Sequence, residues 1–88
     1  MTTTTMVEVT VRFFAAARAA AGNDEETIRT RPGTTLSELV DQLGARNENL
    51  AKVLVRCSFL RDGVAVRDAN VALENAQTID VLPPFAGG

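Results

Sequence analysis

Chemistry has few places to reside in this chain. The sequence contains no histidine and one cysteine, Cys57. Nothing in it titrates near neutrality without a large environmental shift, and no Cys/His cluster of the zinc-binding kind can form. With no base to deprotonate it, Cys57 reads as a small packed residue rather than a nucleophile. The usual acid–base toolkit is missing. The segment that stands out is the last one, Pro83-Pro84-Phe85-Ala86-Gly87-Gly88. Its two prolines fix φ near about −65° and favour an extended exit, and six stretched residues reach about 20 Å. Ala86, Gly87 and Gly88 have almost no side chain, so this end can thread a channel that bulkier residues would block. Glycine also bends freely inside a partner's site, and a proline-stiffened base lowers the ordering cost of insertion. A terminal carboxylate at Gly88 is ionised at neutral pH and is a poor electrophile. Acyl chemistry there needs prior activation by another enzyme.

Something must hold such an arm, and the composition describes a small carrier for it. Of 88 residues, 45% are hydrophobic and 23% charged, with a formal net charge of −2. A chain this short buries only about 60–65% of its unfolded surface, too little to wall a deep pocket. There is no basic excess to neutralise phosphates, which argues against nucleic acid. No apolar run is long enough to span a membrane. Met1-Thr-Thr-Thr-Thr-Met6 has neither a positive start nor an apolar core, so it reads as a disordered extension and not a secretory signal. A single cysteine suits a reducing, cytoplasmic setting.

Between residues 7 and 82 the pattern predicts one domain. Val7, Val9, Val11 and Phe13 alternate with polar residues, the mark of a half-buried strand. Ala15 to Ala21 is a helix former that Gly22 stops. Asp24-Glu25-Glu26 reads as a solvated acidic turn, and Glu26 to Thr30 as a second strand forming a hairpin with the first. Thr35 and Glu38 fit a capping box. Behind it Leu36, Leu39, Val40 and Leu43 form one apolar stripe of a main helix, with Gly44 placed to end it. Asn47 to Arg56 is ambiguous, fitting a helical face of one or two turns. Cys57 to Arg61 and Val64 to Val66 flank the tight turn Asp62-Gly63. Asn70 to Leu73 reads as a short edge segment, and Thr78 to Leu82 is the final strand. Phe13, Phe14 and Phe59 read as core. The order β-β-α-β-β-β implies an α+β sandwich of two layers, with the first and last strands as parallel neighbours at its centre.

Three segments together carry a resemblance. Phe13-Phe14-Ala15-Ala16-Ala17-Arg18 followed by Gly22, Pro32-Gly33-Thr34-Thr35-Leu36-Ser37-Glu38-Leu39, and Val81-Leu82-Pro83-Pro84-Phe85-Ala86-Gly87-Gly88 resemble the MoaD family. That family is the small sulfur-carrier subunit of molybdopterin synthase, within the ThiS/MoaD ubiquitin-like group. The similarity spans roughly residues 7–88. It implies a β-grasp (ubiquitin-like) fold, a mixed sheet with one main helix packed on one face. It divides the chain into an extension (1–6), the domain (7–82) and an extended Gly-Gly tail (83–88).

The resemblance also implies a role. A ubiquitin-activating-type enzyme uses ATP to adenylate Gly88, and sulfur replaces AMP to give a thiocarboxylate. The tail then enters the large catalytic subunit of molybdopterin synthase and gives its sulfur to cyclic pyranopterin monophosphate. Gly88 would bear the reactive group, while Gly87 and Ala86 keep the end slim. Phe85, Pro84, Pro83, Leu82 and Arg18 would face the partner. The chain would be a non-catalytic subunit with no bound cofactor, no metal, no nucleic acid and no membrane. Two positions depart from the family pattern: Ala19 stands where Glu is frequent after the arginine, and Ala76-Gln77 where Gly-Asp is usual. Two other roles stay open: sulfur delivery to thiamin, cysteine or tRNA thiolation, and protein modification through Gly88. A plain interaction module with incidental glycines is the remaining reading.

Overall fold

The structure, a computed structural model, describes residues 6–84. The N-terminal extension, apart from Met6, and the tail residues Phe85, Ala86, Gly87 and Gly88 lie outside the described residues.

Alternation in the first segment produces strand β1, Val7–Phe13, which buries Val9, Val11 and Phe13. Helix α1, Ala15–Ala21, follows at once and buries Ala17. Gly22 closes it at φ 80°, a left-handed conformation that suits glycine, and its N–H donates to the Arg18 carbonyl. Strand β2, Glu25–Thr30, pairs antiparallel with β1, from Val7 opposite Thr30 to Arg12 opposite Glu25. The hairpin is as expected, but the acidic turn is shorter. Glu25 and Glu26 already belong to the strand, and only Asp24 remains in the turn. Glu26 is no solvated charge, because Arg46 reaches back to it with two hydrogen bonds of 2.9 and 3.1 Å.

Helix α2, Leu36–Arg46, begins with the expected capping box. The Glu38 N–H donates to Thr35 Oγ1 at 3.1 Å, and the Thr35 N–H donates to Glu38 Oε1 at 3.0 Å. Its stripe of Leu36, Leu39 and Leu43 is fully buried, with Val40 at the margin. Gly44 does not end this helix, which runs two residues further to a cap at Asn47. The glycine answers a different need. A Cβ on Gly44 would sit 3.3 Å from the Ala51 Cβ, so its bareness lets the next helix cross closely. That helix, α3, Glu48–Leu54, settles the ambiguous segment. Asn47 joins three elements: its Oδ1 accepts from the N–H groups of Asn49 and Leu50, and its Nδ2 donates to the Ala20 carbonyl at 2.7 Å.

Strands β3, Ser58–Arg61, and β4, Val64–Ala65, form a short hairpin. Its turn has positive φ at both Asp62 (49°) and Gly63 (83°), the mirror-image geometry that matches strand twist. Asn70 to Leu73 is not a strand. Only Ala72 makes a bridge, to Thr35, and Leu73 drops into the core. The last strand, β5, Thr78–Leu82, lies parallel to β1 and antiparallel to β3. Sheet order is β2-β1-β5-β3-β4, so the expected central pair of first and last strands is present. Helices cover one face. The buried residues of β1 and β5, the leucines of α2 and α3, and Leu73 make one core.

Candidate functional site

The tail is mounted on the middle strand of the sheet. Ile79 and Val81 are buried in the core while β1 and β3 grip β5 from both sides. Leu82, opposite Ser58 on β3, is half-buried and ends the strand. Pro83 then offers no N–H to a ladder, so pairing stops there. Pro83 is half-buried and Pro84 exposed. A strand gripped on both sides cannot shift without breaking two ladders. The base of the arm therefore has a fixed origin and direction.

The outer face of the sheet, away from the helices, carries a polar clasp beside that base. Arg12 and Asp80 are directly paired across the parallel β1–β5 ladder. Arg12 Nε donates to Asp80 Oδ1 at 2.6 Å and Nη2 donates to Oδ2 at 2.9 Å, a bidentate geometry. The Asp80 side chain is 8% exposed and that of Arg12 48%. The hydrogen bonds Arg12 donates to Asp80, reinforced by the carboxylate's charge, push the Arg12 guanidinium above its usual range. Arg12 also lies over the Phe14 ring, 5.7 Å from its centroid, within cation–π reach. Phe14 is 38% exposed and is not core, contrary to the sequence expectation. Strand alternation explains it, because Phe13 points inward and its neighbour must point out. Leu60, opposite Asp80 on β3, shares the outer face.

On the helix side, an open groove of about 720 Å³ is lined by Ala16 of α1, Lys52, Val53, Val55 and Arg56 of α3 and its exit, and Pro83 and Pro84. Val55 is 86% exposed. Among the residues expected to face a partner, Leu82, Pro83 and Pro84 are contiguous at the tail base. Arg18 is not among the groove's lining residues. It is exposed, with Nη1 3.6 Å from Asp24 Oδ1, a solvent-screened pair of little energetic weight. Gly88, Gly87, Ala86 and Phe85 lie outside the described residues.

Sequence reasoning missed the Arg12–Asp80 clasp and the basic, apolar groove around Lys52 and Arg56. The first was visible in principle. Once β1 and β5 are taken as parallel neighbours, an outward arginine on one and an aspartate between Ile79 and Val81 on the other invite pairing. Cys57 takes no part in a site: its Sγ donates to the Val53 carbonyl at 3.3 Å, and burial raises its thiol above the usual value. Among the described residues no group of three or more His, Cys, Asp or Glu could hold a metal ion.

A five-stranded mixed sheet, parallel at its central pair, with helices across one face and its last strand leading into the C-terminal tail, defines a β-grasp protein of the ubiquitin-like class. The chain belongs to the ThiS family, whose family model matches residues 11–88. A molybdopterin synthase sulfur carrier subunit from Chlamydomonas reinhardtii is 29% identical over 83 residues, covering 93% of this chain and 100% of its own length. A Pyrococcus furiosus protein assigned as molybdopterin converting factor, subunit 1, superposes with a TM-score of 0.81 at 25% identity, covering 90% of this chain and 99% of its own. A chain from the complex of subunits 1 and 2 of the Helicobacter pylori molybdopterin-converting factor superposes with a TM-score of 0.69 at 26% identity, covering 93% and 100%.

Proposed function

We propose that this chain is the sulfur carrier of a molybdopterin synthase, with the Gly88 carboxylate as the carrying group. The observation that carries the reading is the mounting of the Pro83-Pro84 exit on the central strand of a ThiS-family domain. The domain holds the origin of a slim arm steady while contributing no catalytic side chain of its own. The relatives support the choice of pathway. One is a molybdopterin synthase sulfur carrier subunit, and another structure holds subunits 1 and 2 of a molybdopterin-converting factor together.

In this reading a Gly88 carboxylate oxygen attacks the α-phosphorus of ATP on an activating enzyme, and pyrophosphate leaves. A sulfur nucleophile then displaces AMP from the acyl adenylate, and the product is a thiocarboxylate. The arm carries it into the large synthase subunit, which uses the sulfur to build a dithiolene on cyclic pyranopterin monophosphate. Leu82, Pro83, Pro84 and Phe85 form the collar at the mouth of that site. The outer-face residues Phe14 and Leu60 extend it.

The test is capture and reconstitution. The full chain should bind the large synthase subunit and, once thiocarboxylated, support dithiolene formation, while a chain lacking Gly88 should support none. Selective capture of a thiazole synthase or a cysteine synthase would contradict the pathway. Undiminished product from the shortened chain would contradict the chemistry.

A further inference from the structure

We propose that the groove between α1 and α3 is a resting seat for the chain's own last four residues, Phe85-Ala86-Gly87-Gly88. The chain passes along this groove at the point where the described residues end, because Pro83 and Pro84 are two of its lining residues. The rest of the lining has two characters. Ala16, Val53 and Val55 make it apolar, and Val55, 86% exposed, has the character of a contact surface left open. Lys52 and Arg56 make its rim basic, and neither forms an ion pair among the described residues. Arg12, Arg18, Arg29 and Arg46 do, while Arg31, Arg61 and Arg67, which are not in this groove, do not.

The four remaining residues match both characters in order. Phe85 comes first, next to Pro84, where an aromatic ring can cover Val53 and Val55. A terminal carboxylate at Gly88 comes last, and a segment of this length reaches about 13 Å. Gly87 and Gly88 allow the reversal needed to bring that charge onto Lys52 or Arg56. The exposed ion pair is weak and the ring contact small, so the seat holds the tail only until a partner takes it. A thiocarboxylate keeps the negative charge, so the seat accepts the loaded end as well. This inference stands on the groove and the tail sequence, whether or not Gly88 carries sulfur.

The natural chain has no tryptophan and no tyrosine, so Phe85→Trp places a lone fluorophore at the site in question. Three full-length chains are compared: Phe85→Trp alone, with Val55→Asp, and with Lys52→Glu/Arg56→Glu. A seat occupied about half the time gives a blue-shifted emission and about twofold lower acrylamide quenching in the first chain, and both changes are lost in the other two. Identical emission and quenching in all three, matching a free tail peptide, overturns the proposal. A blue shift that fades on dilution also overturns it, since the groove would then hold a second copy's tail. The natural sequence provides an independent measure. Amide shifts of the full chain and of one ending at Pro84 should differ at Ala16 and across residues 52–56. Differences confined to residues 82–84 overturn the seat.

Discussion

Glu26 is a carboxylate on the helix-facing side of β2, opposite the buried Val11 of β1, and it behaves as a fixed part of the fold. Hydrogen bonds from Arg46, and a further one from Asn23 at 3.2 Å, hold its pKa below the usual value, with the Arg46 bonds as the largest cause and partial burial opposing them. A carboxylate whose folded pKa is depressed contributes stability above its unfolded pKa, and that contribution is lost as pH falls through the folded value. The full contribution is therefore present at neutral pH and fades as the pH drops below about 4.5. Glu26→Gln should lower the urea midpoint near neutrality and flatten the decline between about pH 5 and about pH 3. Parallel curves for the two chains would contradict the pairing. Cys57 gives a second residue-scale prediction. Its half-buried thiol, with its pKa raised by burial, should react with an alkylating reagent more slowly in the folded chain than in urea. Cys57→Ser should leave sulfur loading unchanged, because the proposed carrying group is the Gly88 carboxylate.

The elements differ in how openly they announced themselves. β1, the capping box of α2 and the Asp62-Gly63 turn were all legible, since each is written in local spacing: alternation, a Thr-x-x-Glu pair, a turn dipeptide. Gly44 misled, because a glycine near a helix end has the same identity whether it stops the helix or makes room for a neighbour. Only the approach of Ala51 distinguishes the two. Phe14 misled through its hydrophobicity, although the period of two already placed it outside. The α3 groove was illegible for a deeper reason. Lys52, Val53, Val55 and Arg56 become a surface only when α3 is set against α1 and the exit of β5, which is long-range information. Two substitutions test the local readings. Thr35→Ala removes one half of the capping box and should cost about 1 kcal/mol in denaturant unfolding. Gly44→Val forces a side chain into the α2–α3 crossing and should cost about 1–3 kcal/mol. A neutral or stabilising Gly44→Val would show that the crossing is loose and that the glycine has no packing role.

At the scale of the molecule, the sheet order places the tail base at the middle strand, the position least able to move. The placement was legible up to Pro84: a final strand, two prolines, and a parallel partner in β1. Among the described residues no group of three or more His, Cys, Asp or Glu could hold a metal ion. In the proposed reading the described domain supplies a steady origin for the tail, and catalysis falls to the activating and receiving proteins. Appending one bulky residue after Gly88 should leave unfolding stability unchanged while abolishing both loading and product formation. Such a residue blocks the end without touching the core.

The most direct measurement is the intact mass of the full chain after incubation with ATP, an activating enzyme and a sulfur donor. Exchange of one carboxylate oxygen for sulfur adds about 16 Da, and fragmentation should place the gain on Gly88. An unchanged mass in a mixture that loads another ThiS-family carrier, or a gain located on Cys57, would contradict the account.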